Sequence, residues 1–190
     1  MSGESYEDTP DEELVRIFTE SADSSAFEAL MHRHESRVYG LAYRMLGNRS
    51  DALDATQEVF TSVFRKASSF QGRSAFTTWL YRLATNVCHD SIRRRKRTAQ
   101  PAETSDSPDP SDRTAEAENR LLVEAALARL PYDQREALVL LEIYGCSYRE
   151  IAEIAEVAEG TVKSRISRAR IALAEILEPP GGQDRPRGRA

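Results

Sequence analysis

Thr161, Ser164, Arg165 and Arg168 stand at i, i+3, i+4 and i+7, so on a helix two hydroxyls and two guanidinium groups share one face. Short hydroxyls and guanidinium forks are the groups that reach base edges and phosphates from a helix in the DNA major groove. Lys163 and Arg170 flank that face. A solvated basic face on a helical hairpin would carry the same residues, so the cluster alone leaves two readings open. A second cluster is the cationic run Arg93-Arg94-Arg95-Lys96-Arg97, preceded by Phe70, Tyr81 and Asn86 in an exposed pattern. Aromatic rings beside a cationic track suit unpaired bases, which stack on the rings while their phosphates meet the cations. In isolation the run also fits a solvated helix C-terminus, where positive charge opposes the dipole.

Enzymatic chemistry finds no comparable footing. There is no glycine loop to cradle phosphate, no metal-ligand spacing, and no nucleophile placed beside a base, so neither a cofactor nor a metal is expected. His32 and His34 are two apart and diverge on a helix, and Cys88-His89-Asp90 are consecutive and diverge likewise. Cys88 and Cys146 lack the paired spacing of a zinc or redox site and read as small core residues.

The elements that must hold these clusters are helices. Apolar residues recur at helical spacing along most of the chain and strand-like alternation is missing, which predicts an all-α protein. Thr9-Pro10-Asp11-Glu12 predicts a first helix with a capping box, its buried face Leu14, Val15 and Phe18. A second helix follows Ser24 or Ser25, with a stripe of Phe27, Leu30, Met31, Val38, Leu41, Ala42 and Met45, and stops at Gly47. A third starts at Ser50 with Ala52, Val59, Phe60, Val63, Phe64 and Ala67. A fourth starts at Ser74 or Ala75, buries Phe76, Trp79, Leu80, Leu83 and Val87, and ends in the cationic run. Near Asn119 a second set begins: a helix with Leu121, Leu122, Ala125 and Leu130 ending at Pro131, one opened by a box at Asp133–Glu136, one by a box at Ser147–Glu150, and a last one from Gly160-Thr161. The last two, with small Ala152 where they must approach, have helix-turn-helix spacing.

Charge divides the chain in the same way. The formal net charge of −5 argues against a nucleic-acid partner only as a sum. Residues 1–97 hold 14 Lys/Arg and 14 Asp/Glu, and residues 119–190 hold 11 of each, so the deficit lies in residues 98–118. Residues 24–97 carry 13 bases and 6 acids, a locally basic body. Residues 98–118 hold three prolines and no apolar side chain larger than alanine, and read as a disordered acidic linker. Such a linker has a typical span of about 25 Å and a limit of roughly 70 Å, so two domains could sit well apart. The domains are accordingly 1–97 and 119–178, with 179–190 a disordered tail. No apolar run is long enough to cross a membrane and the acidic N-terminus is unlike a signal peptide, which predicts a cytoplasmic protein without membrane insertion.

The stretch Asp51 to Phe60 followed by Phe70 to Asn86 resembles conserved region 2 of the extracytoplasmic-function sigma factors of the sigma-70 family. Leu130 to Glu136 and Gly160 to Arg170 resemble their region 4. The resemblance implies two helical domains, a region 2 four-helix domain and a region 4 helix-turn-helix domain. It implies a subunit, monomeric when free, that binds core RNA polymerase through the β′ coiled coil and the β subunit, directs it to promoter DNA, and is controlled by an anti-sigma factor. On this resemblance Asp51, Asp54, Gln57 and Glu58 match the β′-binding segment, although a solvated helix face would look the same. Phe70, Asn86 and Arg93, Arg94, Arg95, Lys96 and Arg97 match the minus 10 contacts. Thr161, Lys163, Ser164, Arg165 and Arg168 match the minus 35 contacts. The acidic linker matches the segment that threads past the polymerase active centre. The chain departs from the family at the turn, where Glu156 replaces a common glycine, and at Ala155 and Ala158. If Glu156 is left-handed it costs on the order of 1 kcal/mol. The competing reading is a helix-turn-helix regulator that never acts as a polymerase subunit; it leaves the pattern at Asp51 to Asn86 unexplained.

Overall fold

Local caps set most helix boundaries. Asp23 accepts from the Ser25 amide at 2.8 Å and opens α2 (Ser24–Leu46), which Gly47 closes in the left-handed conformation at φ 77°. Asn48 accepts from the Asp51 amide at 2.8 Å and opens α3 (Arg49–Lys66), and a 3₁₀ turn, Ala67–Ser69, follows it. The computed structural model describes residues 6–98 and 115–177, and among them there are helices and loops but no strands. Before α2 lies α1 (Asp11–Ser21), and after the Phe70 loop comes α4 (Phe76–Thr98). The second group is α5 (Ala115–Ala128), α6 (Tyr132–Glu142), α7 (Tyr148–Ala155) and α8 (Glu159–Leu177). The core of the expected linker and the tail from Glu178 lie outside the described residues.

Several expectations are corrected here. The linker read as 98–118 loses its ends to helix, since α4 runs to Thr98 and α5 begins at Ala115. In α5 the buried residues are Ala126 and Leu127, with Leu130 just beyond the helix, whereas Leu121 and Leu122 are exposed; α5 meets α2 and α8, and its apolar side from 121 to 123 stays open to solvent. Glu12 does not close a capping box on α1. Its carboxylate accepts from the Phe76 amide at 3.0 Å and so caps α4 from another helix. The start of α1 is instead held by α2: Arg33 donates to the Thr9 carbonyl and to Asp11, and His34 Nε2 lies 2.7 Å from Asp11 Oδ2. Phe64, expected on the buried stripe of α3, is 56% exposed.

The buried residues of α1–α4 and of α5–α8 join in one continuous core, so the two helix groups pack against each other. α6 and α7 lie on α2 and α4. Tyr132 Oη donates to the Thr85 carbonyl at 2.9 Å, and Tyr144 Oη donates to the Arg37 carbonyl at 2.8 Å. Arg135 reaches the α2 C-terminus, donating to the Met45 carbonyl at 2.9 Å, and with its other nitrogen donates to Ala128 and Leu130 at 3.1 Å each. One guanidinium thereby serves two helix C-terminal regions, where free carbonyls and the dipole favour a cation. Burial pushes the Arg135 pKa down. The tyrosine bonds contribute about 1 kcal/mol each and those from the charged guanidinium roughly 1.5–3. Domains expected to be able to sit far apart are in contact here.

Inside the second domain, the box at Ser147 and Glu150 forms in both directions: Ser147 N–H donates to Glu150 at 2.8 Å, and Glu150 N–H donates to Ser147 Oγ at 3.3 Å. The box expected at Asp133–Glu136 does not form, because α6 starts behind Pro131 without a side-chain cap and Glu136 turns into the interior. The turn between α7 and α8 is closed by Glu156 at φ 53°, ψ 45°, a left-handed residue with a Cβ. Glu156→Gly is therefore expected to stabilise this domain by about 0.5–1 kcal/mol, less than the full steric cost because glycine gains entropy when unfolded. Urea denaturation measures it; an unchanged or lower midpoint would mean that the turn carries no strain.

Candidate nucleic-acid and polymerase interfaces

The cleft at the loop before α4 is built on aromatic packing. Phe76 is fully buried, Trp79 packs 5.8 Å from it, and Phe70 lies across both at 5.9 and 5.5 Å. This floor keeps Phe70 half-buried with one side facing a cleft of about 550 Å³ that Gln71, Arg73, Trp79 and Arg82 also line. Aromatic floor and cationic rim are what a splayed base and its phosphate require. Asn86 is exposed and stands one turn beyond Arg82. Arg93 and Arg97 continue the same face of α4, giving a stripe of Arg82, Asn86, Arg93 and Arg97 about 22 Å long. Arg82 is the member that the cationic-run reading missed; its i, i+4 relation to Asn86 was the available signal.

Not every candidate lies on that stripe. Tyr81, read as exposed, is 2% exposed: its hydroxyl accepts from Arg37 Nε at 3.0 Å and its ring meets Tyr144 edge-on at 5.1 Å. Arg94 pairs with Glu58 at 3.0 Å and Arg95 with Asp51 at 3.3 Å. Two residues matched to polymerase binding and two matched to the minus 10 region thus meet in one charged seam, which Asp54 also lines. These pairs are half-exposed and worth about 0–1 kcal/mol each, so they orient side chains without locking them.

Gln57 faces the other way. It lines an apolar groove of about 440 Å³ between α2 and α3, together with Phe27, Met31, Phe60 and Phe64. Phe18, Phe27 and Phe64 form a ring cluster with centroids 5.2–5.3 Å apart. This explains the exposed Phe64: it belongs to a surface, not to the core.

On α8 the expected shared face divides. Lys163 and Arg168 are exposed, and Arg168 folds back along its own helix onto Ser164, 3.1 Å from Oγ. Ser164 is half-buried and donates to the Thr161 carbonyl at 2.8 Å, with Thr161 half-buried as well. Arg165 turns inward and pairs with Asp133 of α6 at 3.2 Å, its side chain only 19% exposed. Arg170 pairs with Glu142 at 2.7 Å. Ser167, unremarked in the sequence, is exposed between Lys163 and Arg168. The helix-turn-helix therefore offers Lys163, Ser167 and Arg168 outward, with Thr161 and Ser164 at the edge.

The cysteines and the buried histidine belong to structure. Cys88 and Cys146 are buried free thiols whose pKa values burial pushes up to about 12 and about 11. Among the described residues no group of His, Cys, Asp and Glu could hold a metal, and no helix is long and apolar enough to cross a membrane.

Residues 30–98 match the model of sigma-70 region 2, and residues 120–173 match that of sigma-70 region 4. The chain belongs to the extracytoplasmic-function sigma factors. A relative from Mycobacterium tuberculosis, ECF RNA polymerase sigma factor SigM, is 40% identical over 83% of this chain and 80% of its own length. RNA polymerase sigma-H factor of Pseudomonas aeruginosa is 34% identical over 89% of this chain and 94% of its own. Among solved structures, the sigma factor RpoE in complex with the anti-sigma factor NepR from Bartonella quintana superposes with a TM-score of 0.68 at 28% identity, over 80% of this chain and 96% of that one. The sigma factor described here is thus an RNA polymerase initiation subunit by family, with α2–α4 its region 2 and α5–α8 its region 4.

Proposed function

We propose that this sigma factor binds core RNA polymerase in the cytoplasm and directs it to promoters by holding single-stranded minus 10 DNA on region 2 and duplex minus 35 DNA on region 4. The observation that carries the reading is the Phe70 cleft continued by the Arg82, Asn86, Arg93 and Arg97 stripe, which joins a stacking surface to a phosphate track. Arg94, Arg95 and Lys96 supply further positive charge beside it. On α8, Lys163 and Arg168 are the outward cations for the minus 35 groove, Thr161 and Ser164 lie at its edge, and Arg165 acts through its pairing with Asp133. Core polymerase would take α3, with the charged seam of Asp51, Asp54 and Glu58 on one side of the helix and Gln57 with the apolar groove on the other, a combination suited to a partner with basic and apolar faces. An anti-sigma factor would compete for these surfaces, a reading supported by the solved sigma factor RpoE, whose structure is of a complex with the anti-sigma factor NepR. The chain itself contributes binding and positioning.

Run-off transcription with purified core polymerase on a promoter library tests this directly. Transcripts that depend on the added chain support it; a regulator of the other kind would produce none without a second sigma factor. Two variants separate the interfaces. Asp54→Arg with Gln57→Ala is expected to weaken core binding roughly tenfold, and Arg168→Ala to weaken promoter binding by about 1–3 kcal/mol with core affinity intact. Loss of core affinity in Arg168→Ala would assign α8 to another task.

A further inference from the structure

Phe76 is the first residue of α4, and the first N–H groups of a helix find no carbonyl within the helix to bond. The position ahead of it is Ala75, which has no side-chain oxygen with which to cap. Glu12 supplies the cap from elsewhere in the chain: its carboxylate accepts from the Phe76 N–H at 3.0 Å and sets a negative charge against the positive end of the helix dipole. Glu12 belongs to α1, whereas the match to region 2 begins at residue 30. A helix outside the matched segment therefore caps the helix that carries the candidate single-strand track.

α1 is itself held firmly at that end. The Arg33 guanidinium of α2 donates through one nitrogen to the Thr9 carbonyl and to Asp11, and through the other to the Tyr6 and Glu7 carbonyls at 3.0 Å each, so one planar fork gathers the whole turn in front of the helix. His34 Nε2 lies 2.7 Å from Asp11 Oδ2, and the same ring packs on Phe76 at 5.4 Å. Leu14 and Val15 bury the inward side of α1. The 3₁₀ turn Ala67–Ser69 also packs against α1, and its Ala67 carbonyl accepts from the Phe70 amide at 3.0 Å. The loop from Phe70 to Ala75 is thus fixed at both ends by α1, through the 3₁₀ turn at its start and through Glu12 at its finish. Between those ends Gln71, Gly72 and Arg73 are exposed, so the loop has little packing of its own and its course follows from where its ends are pinned.

We propose that Glu12 is a positioning residue for the Phe70 cleft: by tying the start of α4 to α1 it sets where Phe70 lies against the floor of Phe76 and Trp79, and so shapes the surface on which a base would stack. This rests on reading the cleft as a base site. The bond does more than a helix cap, because a cap made within α4 would steady its first turn without fixing that turn relative to α1 and the 3₁₀ turn.

Trp79 is the chain's one tryptophan and its ring lies 5.5 Å from Phe70, so its emission reports the cleft directly. Glu12→Ala is compared with the unmodified protein in two measurements: Trp79 emission and acrylamide quenching in the full free chain, and opening of a minus 10 element by reconstituted polymerase, read by the permanganate reactivity of its thymines. Glu12 is exposed, so its truncation leaves the core intact. Trp79 emission is expected to shift to longer wavelength with stronger quenching. Opening is expected to fall about fivefold, the size of one lost helix cap, at unchanged core affinity. A second variant, Glu12→Ala with Ala75→Ser, gives α4 a cap of its own. Persistence of both changes in that variant supports the tie to α1, and their reversal overturns the proposal, because Glu12 would then serve α4 as a cap and nothing more. Unchanged Trp79 emission in Glu12→Ala overturns it as well. Altered emission with normal opening upholds the tie and overturns the reading of the cleft as a base site, so the two failures are told apart.

Discussion

Phe76→Ala is expected to destabilise region 2 by about 3–5 kcal/mol, a large part of the stability of a domain this size. The ring is 1% exposed and touches three other rings, His34 at 5.4 Å, Phe70 at 5.9 Å and Trp79 at 5.8 Å, so no neighbour can move into the space without leaving its own contacts. The consequence is functional as well as structural. Phe70 has no helix of its own and depends on Phe76 and Trp79 for its position, and once the floor is gone its ring has no reason to face the cleft. Chemical denaturation should show the lost stability, and promoter opening by the reconstituted polymerase should fall even at temperatures where the variant is folded. Phe70→Ala is the matched control. It removes a half-buried ring, should cost less stability, and should damage opening to a similar degree. If Phe76→Ala opened promoters normally while folded, the aromatic floor would have no part in the site.

How much of this was legible in the sequence depends on the range over which each signal acts. Signals confined to one helix read correctly: Gly47 ends α2, the Ser147 and Glu150 box opens α7, and the apolar spacing of Phe76, Trp79, Leu80 and Leu83 marks the buried side of α4. Signals that a distant residue can capture did not. Glu12 and Glu136 both stand at the third position after a cap-like residue, yet one caps α4 and the other is buried between the domains. A carboxylate in the right register for a box is equally free to serve another helix, and spacing cannot tell the two apart. Stripe edges fail for a related reason. Phe64 and Arg165 each lie at the border of an apolar stripe, where a few degrees of rotation and one neighbour, Phe18 or Asp133, decide whether the side chain points out or in. Tyr81 is buried by contact with a domain more than fifty residues away, and no periodicity within α4 reports that. The candidate site was legible as a set of residue types; its division into a stacking cleft, a charged seam and an apolar groove needed the packing of α2, α3 and α4.

Glu136→Gln should change how stability depends on pH. Glu136 is 7% exposed between the domains, and burial is the main reason its pKa is pushed up to about 7. Arg165 from α8 and a hydrogen bond with Thr85 of α4 pull it back, while Asp133 of its own helix adds to the rise. Tyr132 and the Cys88 thiol of α4 complete its surroundings, both of them pushed up chiefly by burial and then by the Glu136 charge. A carboxyl group whose pKa is higher when folded than when unfolded keeps its proton in the folded state over a window in which the unfolded chain has released it. Its contribution is most favourable below about 4.5, declines as pH rises, and is lost once pH passes about 7. At pH 8 the unmodified protein therefore carries the full cost of a buried charge, on the order of 3 kcal/mol for a shift of this size. Glutamine keeps the shape and the capacity to bond Thr85 but cannot ionise. Denaturation at pH 5.5, 6.5 and 8 should show the unmodified chain weakening across the series and the variant holding nearly level, with the two differing most at pH 8. Parallel curves would mean that Glu136 is ionised throughout, with Arg165 holding its charge. Because this residue sits where region 4 meets region 2, the same titration should loosen the contact between them, so energy transfer between fluorophores attached to the two domains should fall between pH 6 and 8 with Glu136 present and stay constant with Glu136→Gln.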